Sequence, residues 1–164
     1  MIIIYLLTGA SFLAIVITGA QGYLGFQALG VNHPTFALLS SILYLFTEVL
    51  VMFFFVGTGV SVKEHVRDKG GDPDYHRRSV AIKRKLYPPT LVNVLLVMSV
   101  FVTGGAVDTG LLPGWAHGLL FLFTIAHFAR TIRVQHRGLK ENTRIIWEMT
   151  GVTMTDTTGK VEKL

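Results

Sequence analysis

The chain has 164 residues, of which 51% are hydrophobic, with a mean hydropathy of +0.52 and a formal charge of +5. Such a short and apolar chain is typical of an integral membrane protein with one small domain. The absence of cysteine excludes disulfides, thiolate metal sites and a thiol nucleophile. All 15 lysines and arginines lie in two segments, 63–85 and 130–163. This confinement favours contact with a membrane surface over binding to nucleic acid.

The first two apolar segments are each long enough to cross a bilayer. Residues 2–28 form the first, which is longer than the apolar core of a signal peptide and is expected to be retained as a span. Residues 35–62 form the second, and as a helix they extend ~42 Å, enough to cross a bilayer core of ~30 Å with some tilt. Glu48 is the single charged residue in this second span. Because a carboxylate at that depth is costly, we expect Glu48 to face protein rather than lipid.

Two further spans are predicted after a basic segment. Residues 63–86 are predicted to form a basic cytoplasmic loop, which contains a short helix on the membrane surface. The proline pair at positions 88 and 89 is predicted to open a third span over residues 88–107, because proline suits the first turn of a helix. A fourth span is predicted over residues 115–134, with Trp115 at the membrane interface.

These segments predict an all-α integral membrane protein that forms a four-helix bundle over residues 1–150. Because both basic segments lie on the same side of the four spans, the positive-inside rule predicts that both termini are cytoplasmic. The expected location is the cytoplasmic (inner) membrane of a bacterium, with the basic segments against anionic lipid. Residues 151–164, rich in threonine, lysine and glutamate, are expected to form a flexible cytoplasmic tail.

One stripe of small or polar residues runs along each predicted helix, and helices in membranes associate through such residues. Counting ~1.5 Å per residue from the predicted helix ends brings one polar group from each helix to a similar depth. The predicted buried polar cluster consists of Ser11, Tyr44, Glu48, Asn93 and His127. A Glu48–His127 pair within it is compatible with a structural hydrogen bond, a proton path or the anchor of a small ligand. One histidine and one carboxylate are too few ligands to identify a metal site.

A second candidate site lies near the non-basic ends of the helices. His33 is predicted at the start of the second helix, and His117 lies just inside the start of the fourth. A b-type haem between helices needs an axial imidazole from each of two helices, and small residues where the macrocycle meets backbone. Small residues at the same level are Gly22, Gly25, Gly104 and Gly105. His33 and His117 are therefore possible haem ligands, although a helix cap is a simpler role for His33.

The sequence contains no phosphate-binding loop, no zinc-type His-Glu-x-x-His pattern and no nucleophile elbow. It therefore favours a small non-catalytic subunit of a larger electron-transport complex, in contact with lipid and with other membrane subunits. One alternative is a haem b subunit with His33 and His117 as ligands, which exchanges electrons with quinone. Another is a proton path or ligand pocket around Glu48 and His127. The plan of four spans with inward histidines is similar to small cytochrome-b-type membrane anchors of respiratory complexes, but no motif in the chain matches them.

Overall fold

The structure, a computed structural model, describes residues 1–151 of the chain. This part consists of four helices: α1 Ile2–Leu24, α2 His33–Lys69, α3 Pro73–Asp108 and α4 Gly114–Thr150. Successive helices pack side by side, and α4 closes the ring by packing against α1. The predicted all-α class and the four-helix arrangement are thereby confirmed. Apart from Gly151, the predicted tail lies outside the described residues.

Three of the helices, α1, α2 and α3, are long and apolar enough to cross a membrane. The protein is therefore an integral membrane protein. The fourth helix has 37 residues but is not among these candidate spans. His117, His127 and Arg130 interrupt its apolar half and lower its mean hydropathy.

The ends of α1 and α2 are set by glycines in the left-handed conformation, which glycine adopts without steric cost. Gly25 has a φ of +69°, and its N–H donates to a carbonyl of the last turn at 2.9 Å. Helix α1 therefore ends before residue 28, the predicted boundary. Gly70, with a φ of +65°, ends α2. At the start of α2, the Asn32 side chain caps the helix by accepting a hydrogen bond from the Thr35 N–H at 3.2 Å.

The basic segment 63–86, predicted to be a loop with a separate surface helix, is instead almost entirely helical. Only residues 70–72 separate α2 from α3, and the predicted surface helix is the first part of α3. Pro88 and Pro89 lie inside α3 rather than at its start. Each proline removes a backbone donor, so the helical acceptors at residues 84 and 85 lose their usual partners. Both of these residues are exposed, so other hydrogen-bond donors can reach their backbone oxygens.

Packing on the N-terminal side of the prolines explains why α3 continues through them. Ile82 and Leu86 are buried in an apolar cluster shared with α2 and α4. Arg78 forms salt bridges to Glu141 at 2.8 Å and to Glu148 at 2.5 Å, both on α4. These tertiary contacts outweigh the local preference of proline for the first turn of a helix. We call the buried apolar set the basal cluster: Ile4, Val51, Phe55, Val62, Ile82, Leu86, Leu139 and Ile145.

The bundle has two chemically different ends. The basic end holds Met1, the α2–α3 turn and the C-terminus of α4, whereas the histidine end holds the loops at residues 25–32 and 109–113. The basal cluster lies toward the basic end. A second buried apolar set, which we call the central cluster, consists of Ile15, Tyr44, Val97 and Phe128. Between the two clusters lies a layer of buried polar side chains, and beyond the central cluster the helices line an open cavity.

Candidate functional site

The cavity at the histidine end has a volume of about 710 Å³ and is lined by residues of all four helices. Its volume lies within the range of small-molecule and cofactor sites. His33 of α2 and His117 of α4 both line it, and so do three of the predicted small residues, Gly22, Gly104 and Gly105. The fourth, Gly25, does not line the cavity and instead ends α1.

The imidazole of His33 lies against α1. Its Nδ1 is 3.0 Å from the backbone oxygen of Thr18. A Cβ atom at Gly22 would lie 3.1 Å from the Cε1 atom of this ring, closer than side chains normally approach. The absence of a side chain at Gly22 therefore provides the space that the His33 ring occupies.

The imidazole of His117 lies against α3 in a corresponding way. Its Nδ1 is 3.1 Å from the hydroxyl oxygen of Thr103. This hydroxyl has a single proton to donate. Its oxygen also lies 2.8 Å from the backbone oxygen of Ser99, which is within hydrogen-bonding distance. A Cβ atom at Gly104 would lie 3.4 Å from the His117 ring, an ordinary contact distance, so this ring does not require glycine at position 104.

The contact of His33 determines its tautomer, and the hydroxyl contact of His117 is compatible with the same tautomer. A backbone oxygen can only accept, so the Nδ1 of His33 is the donor, and its Nε2 has the free lone pair. If the Thr103 hydroxyl donates to its own helix, it accepts from His117, which leaves the Nε2 of that ring with a lone pair too. With both rings neutral and in this tautomer, the two Nε2 lone pairs are suited to bind a metal or a hydroxyl donor.

Among residues 1–151, no group of three or more histidine, aspartate or glutamate side chains is placed to hold a metal ion. Two imidazoles alone do not complete a tetrahedral or octahedral site. They do suffice for an iron that already has its other ligands, as in a haem, where the protein adds only the axial ligands.

The predicted polar cluster is split among three hydrogen-bonded groups in the polar layer. In the first group, the Nδ2 of Asn93 donates to the hydroxyl of Tyr44 at 2.8 Å. The Nδ1 of His127 lies 3.0 Å from the Oδ1 of Asn93, so the imidazole donates to the amide oxygen. Three helices are thereby connected through one asparagine side chain that is fully buried.

In the second group, the partner of Glu48 is Gln135, not the predicted His127. The Nε2 of Gln135 donates to the Oε2 of Glu48 at 2.6 Å, and it also lies 3.4 Å from the hydroxyl of Thr90. Glu48 is therefore bonded to Gln135 rather than to His127. Ser11, on α1, is bonded instead to the hydroxyl of Thr47 at 2.8 Å.

Two oxygens of the Glu48–Gln135 pair, the Oε1 atom of each residue, are buried and have no hydrogen-bond partner within residues 1–151. The basal cluster covers the pair on one side, and Phe128 of the central cluster lies on the other. The hydrogen bond from Gln135 offsets part of the cost of burying Glu48, and breaking it would leave the carboxyl without a partner. The layer is thus well suited to hold α2, α3 and α4 in register.

Gln135 was not predicted as a partner because it follows residue 134, the predicted end of the fourth span, in a segment rich in basic residues. A signal for it was nevertheless present, since the polar stripe of α4 continues with helical spacing from Thr124 through Thr131 to Gln135 and Asn142. All four of these side chains are buried.

Replacing Asn93 by leucine is expected to lower the free energy of unfolding by about 1–2 kcal/mol, because it removes two interhelical hydrogen bonds at once. The measurement is thermal unfolding of the purified protein in detergent. Ser99→Leu is the matched control, because Ser99 lies on the exposed face of the same helix and bonds only within it. An equal loss in both variants would show that the Asn93 bonds do not stabilise the bundle.

Comparison of the chain with protein-family models, with curated proteins and with solved structures finds no match.

Proposed function

We propose that this protein is a small membrane subunit that binds a b-type haem between His33 and His117. The observation that carries the proposal is the shared cavity, where two imidazoles from α2 and α4 are each held by their Nδ1 atoms, so that the Nε2 atoms are available as axial ligands. Helix bundles commonly bind cofactors in this way, with side chains from facing helices.

When bound, the haem would supply one-electron chemistry. The protein would orient both imidazoles through Thr18 and Thr103, and most of the cavity lining is apolar. With both axial positions taken by histidine, the proposed role is electron transfer rather than catalysis. The protein would serve a larger electron-transport complex and exchange electrons with quinone or with a partner subunit.

The proposed topology has four spans with both termini in the cytoplasm of a bacterium. Two features support it. The basic residues that flank the α2–α3 turn and those in the second half of α4 lie toward the same end of the bundle, as the positive-inside rule requires. Helix α4 packs along α1 and α3, both of which are long and apolar enough to span. The haem would then lie in the outer half of the membrane.

A second candidate ligand is a quinol, which would use the same cavity. Its two hydroxyl groups are donors, and the two Nε2 lone pairs are acceptors, so the hydrogen bonds are complementary. This candidate also accounts for the apolar lining, which suits an isoprenoid tail.

The test is the visible absorption spectrum of the protein purified from its native membrane, recorded oxidised and after reduction with dithionite. We expect a b-type spectrum that is lost in His33→Ala and in His117→Ala. His136→Ala is the matched control, because this exposed histidine lies near the basic end, bonded to Tyr5. A colourless wild-type protein would contradict the haem proposal. Quinol extracted from that colourless protein, and absent from the two cavity variants, would support the second candidate.

A further inference from the structure

Four exposed cations, two on α3 and two on α4, lie near one level of the bundle. They are Arg84, Lys85, Arg133 and Arg137, which we call the basic collar. Within residues 1–151, none of the four forms a salt bridge. The collar thus presents positive charge that no carboxylate of these residues neutralises.

Hydrogen bonds between α3 and α4 establish the level of the collar. The Oγ1 of Thr131 on α4 lies 3.4 Å from the backbone oxygen of Pro89 on α3, and a second bond between the two helices gives the same register. Because the helices are antiparallel, five residues further toward the basic end bring His136 level with Arg84. Arg133 then lies ~4.5 Å nearer the histidine end. All four collar residues are therefore within about one helical turn of this level.

Lys85 and Arg137 lie on the edges at which the two helices meet. Lys85 follows Arg78 on α3 by seven residues, which is two turns and places both on one face. Arg137 precedes Glu141 on α4 by four residues, again on one face. Arg78 and Glu141 are bonded to each other across the α3–α4 seam at 2.8 Å. The two cations therefore flank the same seam at levels that differ by ~3 Å, so one phosphate group can bind both.

The collar lies about one bilayer thickness from the histidine end. The hydroxyl of Tyr5 is 3.0 Å from the ring of His136, so it marks the collar level on α1, ~29 Å from the end of that helix. The bond between Ser11 and Thr47 places Phe53 of α2 at the same level, ~30 Å from the start of its helix. The corresponding lengths are ~36 Å on α3 and ~33 Å on α4. Since a bilayer core is ~30 Å thick, a membrane with one surface at the histidine end has its other surface at the collar.

The surface of the bundle changes character at this level. Between the collar and the histidine end, α1 and α2 present apolar side chains such as Leu13 and Phe46, which are 60% and 55% exposed. Beyond the collar, α2, α3 and α4 continue for ~24, ~17 and ~21 Å. There every exposed residue of 63–69 is charged, and Arg78 is paired with Glu141. The bundle is thus suited to lipid on one side of the collar and to water on the other.

We propose that the basic collar binds the phosphate groups of anionic phospholipids, with Lys85 and Arg137 as its central pair. Charge and depth both favour this occupant, because lipid phosphates lie at the edge of the bilayer core, where the collar is. Arg130 lies ~9 Å nearer the histidine end, and its long side chain can extend toward the same phosphates. Bound lipid would hold the bundle at a fixed depth, with the ends of α2, α3 and α4 outside the membrane. The collar lies outside the cavity, so this binding does not depend on haem.

A second copy of the chain is a poorer occupant of the collar. Glu48 is fully buried, and Glu141 and Glu148 are both ion-paired. The other carboxylates of residues 1–151 lie ~15 Å or more from the collar level along their helices. A second copy at the same depth therefore brings no free carboxylate to these four cations.

The test uses the full chain, reconstituted into vesicles of phosphatidylcholine that contain a minor share of phosphatidylglycerol. After extraction in mild detergent, mass spectrometry measures the lipid that stays bound. We expect phosphatidylglycerol to be enriched over its share in the vesicles, and Lys85→Gln/Arg137→Gln should reduce its bound amount about tenfold or more. The charge-preserving variant Lys85→Arg/Arg137→Lys should retain it. The matched control is Lys63→Gln/Lys69→Gln, which removes two exposed lysines beyond the collar and should leave the bound lipid unchanged.

A second measurement tests the depth of the collar independently. Trp147 lies ~17 Å beyond the collar level, whereas Trp115 lies at the histidine end. Lipids brominated near the headgroup end of their acyl chains should quench the fluorescence of Trp115 in the variant Trp147→Phe. The same lipids should leave the fluorescence of Trp147 unchanged in the variant Trp115→Phe.

Three results would overturn the proposal. One is a wild-type protein that does not enrich phosphatidylglycerol. Another is an equal loss of this lipid in the collar variant and in its control, which would mean that only the overall charge attracts it. The third is strong quenching of Trp147, which would place the collar inside the bilayer core. If the double variant fails to insert into the membrane, Arg137→Gln provides the same comparison, with an expected reduction of about fivefold.

Discussion

Replacing Gly138 by leucine is expected to lower the free energy of unfolding by about 3 kcal/mol. A Cβ atom at this position would lie 3.1 Å from Cδ1 of Leu86 and 3.3 Å from side-chain atoms of Ile82 and Phe55. All three neighbours belong to the buried basal cluster, which cannot move aside without losing its own contacts. A leucine would therefore force α4 away from α2 and α3.

Thermal or denaturant unfolding in detergent measures this effect. Gly57→Leu is the matched control, because no atom lies within 4 Å of a Cβ at Gly57, which is exposed within α2. Leucine has a higher helix propensity than glycine, so this control should be neutral or slightly stabilising. Similar losses in both variants would mean that close packing at Gly138 does not stabilise the bundle.

Replacing Gly22 by leucine is expected to abolish haem binding while the bundle remains folded. The new side chain would meet the ring of His33 and extend into the cavity, where it displaces one axial ligand and occupies space. Because the cavity has room for the side chain, the stability of the bundle should change by less than ~1.5 kcal/mol.

The measurement for Gly22→Leu is the amount of haem per protein from the absorption spectrum, alongside thermal unfolding. Gly9→Leu is its control, because Gly9 lies on the exposed face of the same helix with no atom within 4 Å of its Cβ position. A full complement of haem in the Gly22 variant would mean that the haem does not bind in this cavity.

The elements that could be predicted from the sequence are those that depend on local patterns. Apolar length predicts the membrane helices, and the spacing of polar residues predicts which face of each helix is buried. Ser11, Tyr44 and Asn93 are all buried, as expected for residues on such stripes. The structure also places His33 and His117 on a common cavity, although haem binding itself stays a prediction.

The pairing of Glu48 could not be predicted, because it depends on how far each helix is shifted along its neighbour. Counting residues from the predicted helix starts assigned His127 to the level of Glu48. In the structure Gln135, two turns further along α4, meets the carboxylate. The eight residues from His127 to Gln135 correspond to ~12 Å of helix, so α4 is shifted along α2 by about that distance relative to the counted levels.

The course of α3 could not be predicted for a different reason. A proline pair after a basic segment is the local signal of a helix start, and it gave the wrong boundary here. The burial of Ile82 and Leu86 and the salt bridges of Arg78 act over long distances in the sequence. Local preferences do not contain these interactions.

The position of the Glu48–Gln135 layer between two apolar clusters has a consequence for the membrane itself. A continuous chain of ionisable groups from one face to the other would let protons leak and dissipate the membrane potential. Here Phe55 and Leu86 are buried on one side of the layer, and Phe128 is buried on the other. Apolar packing on both sides of the layer is therefore suited to interrupt a path for protons through the bundle.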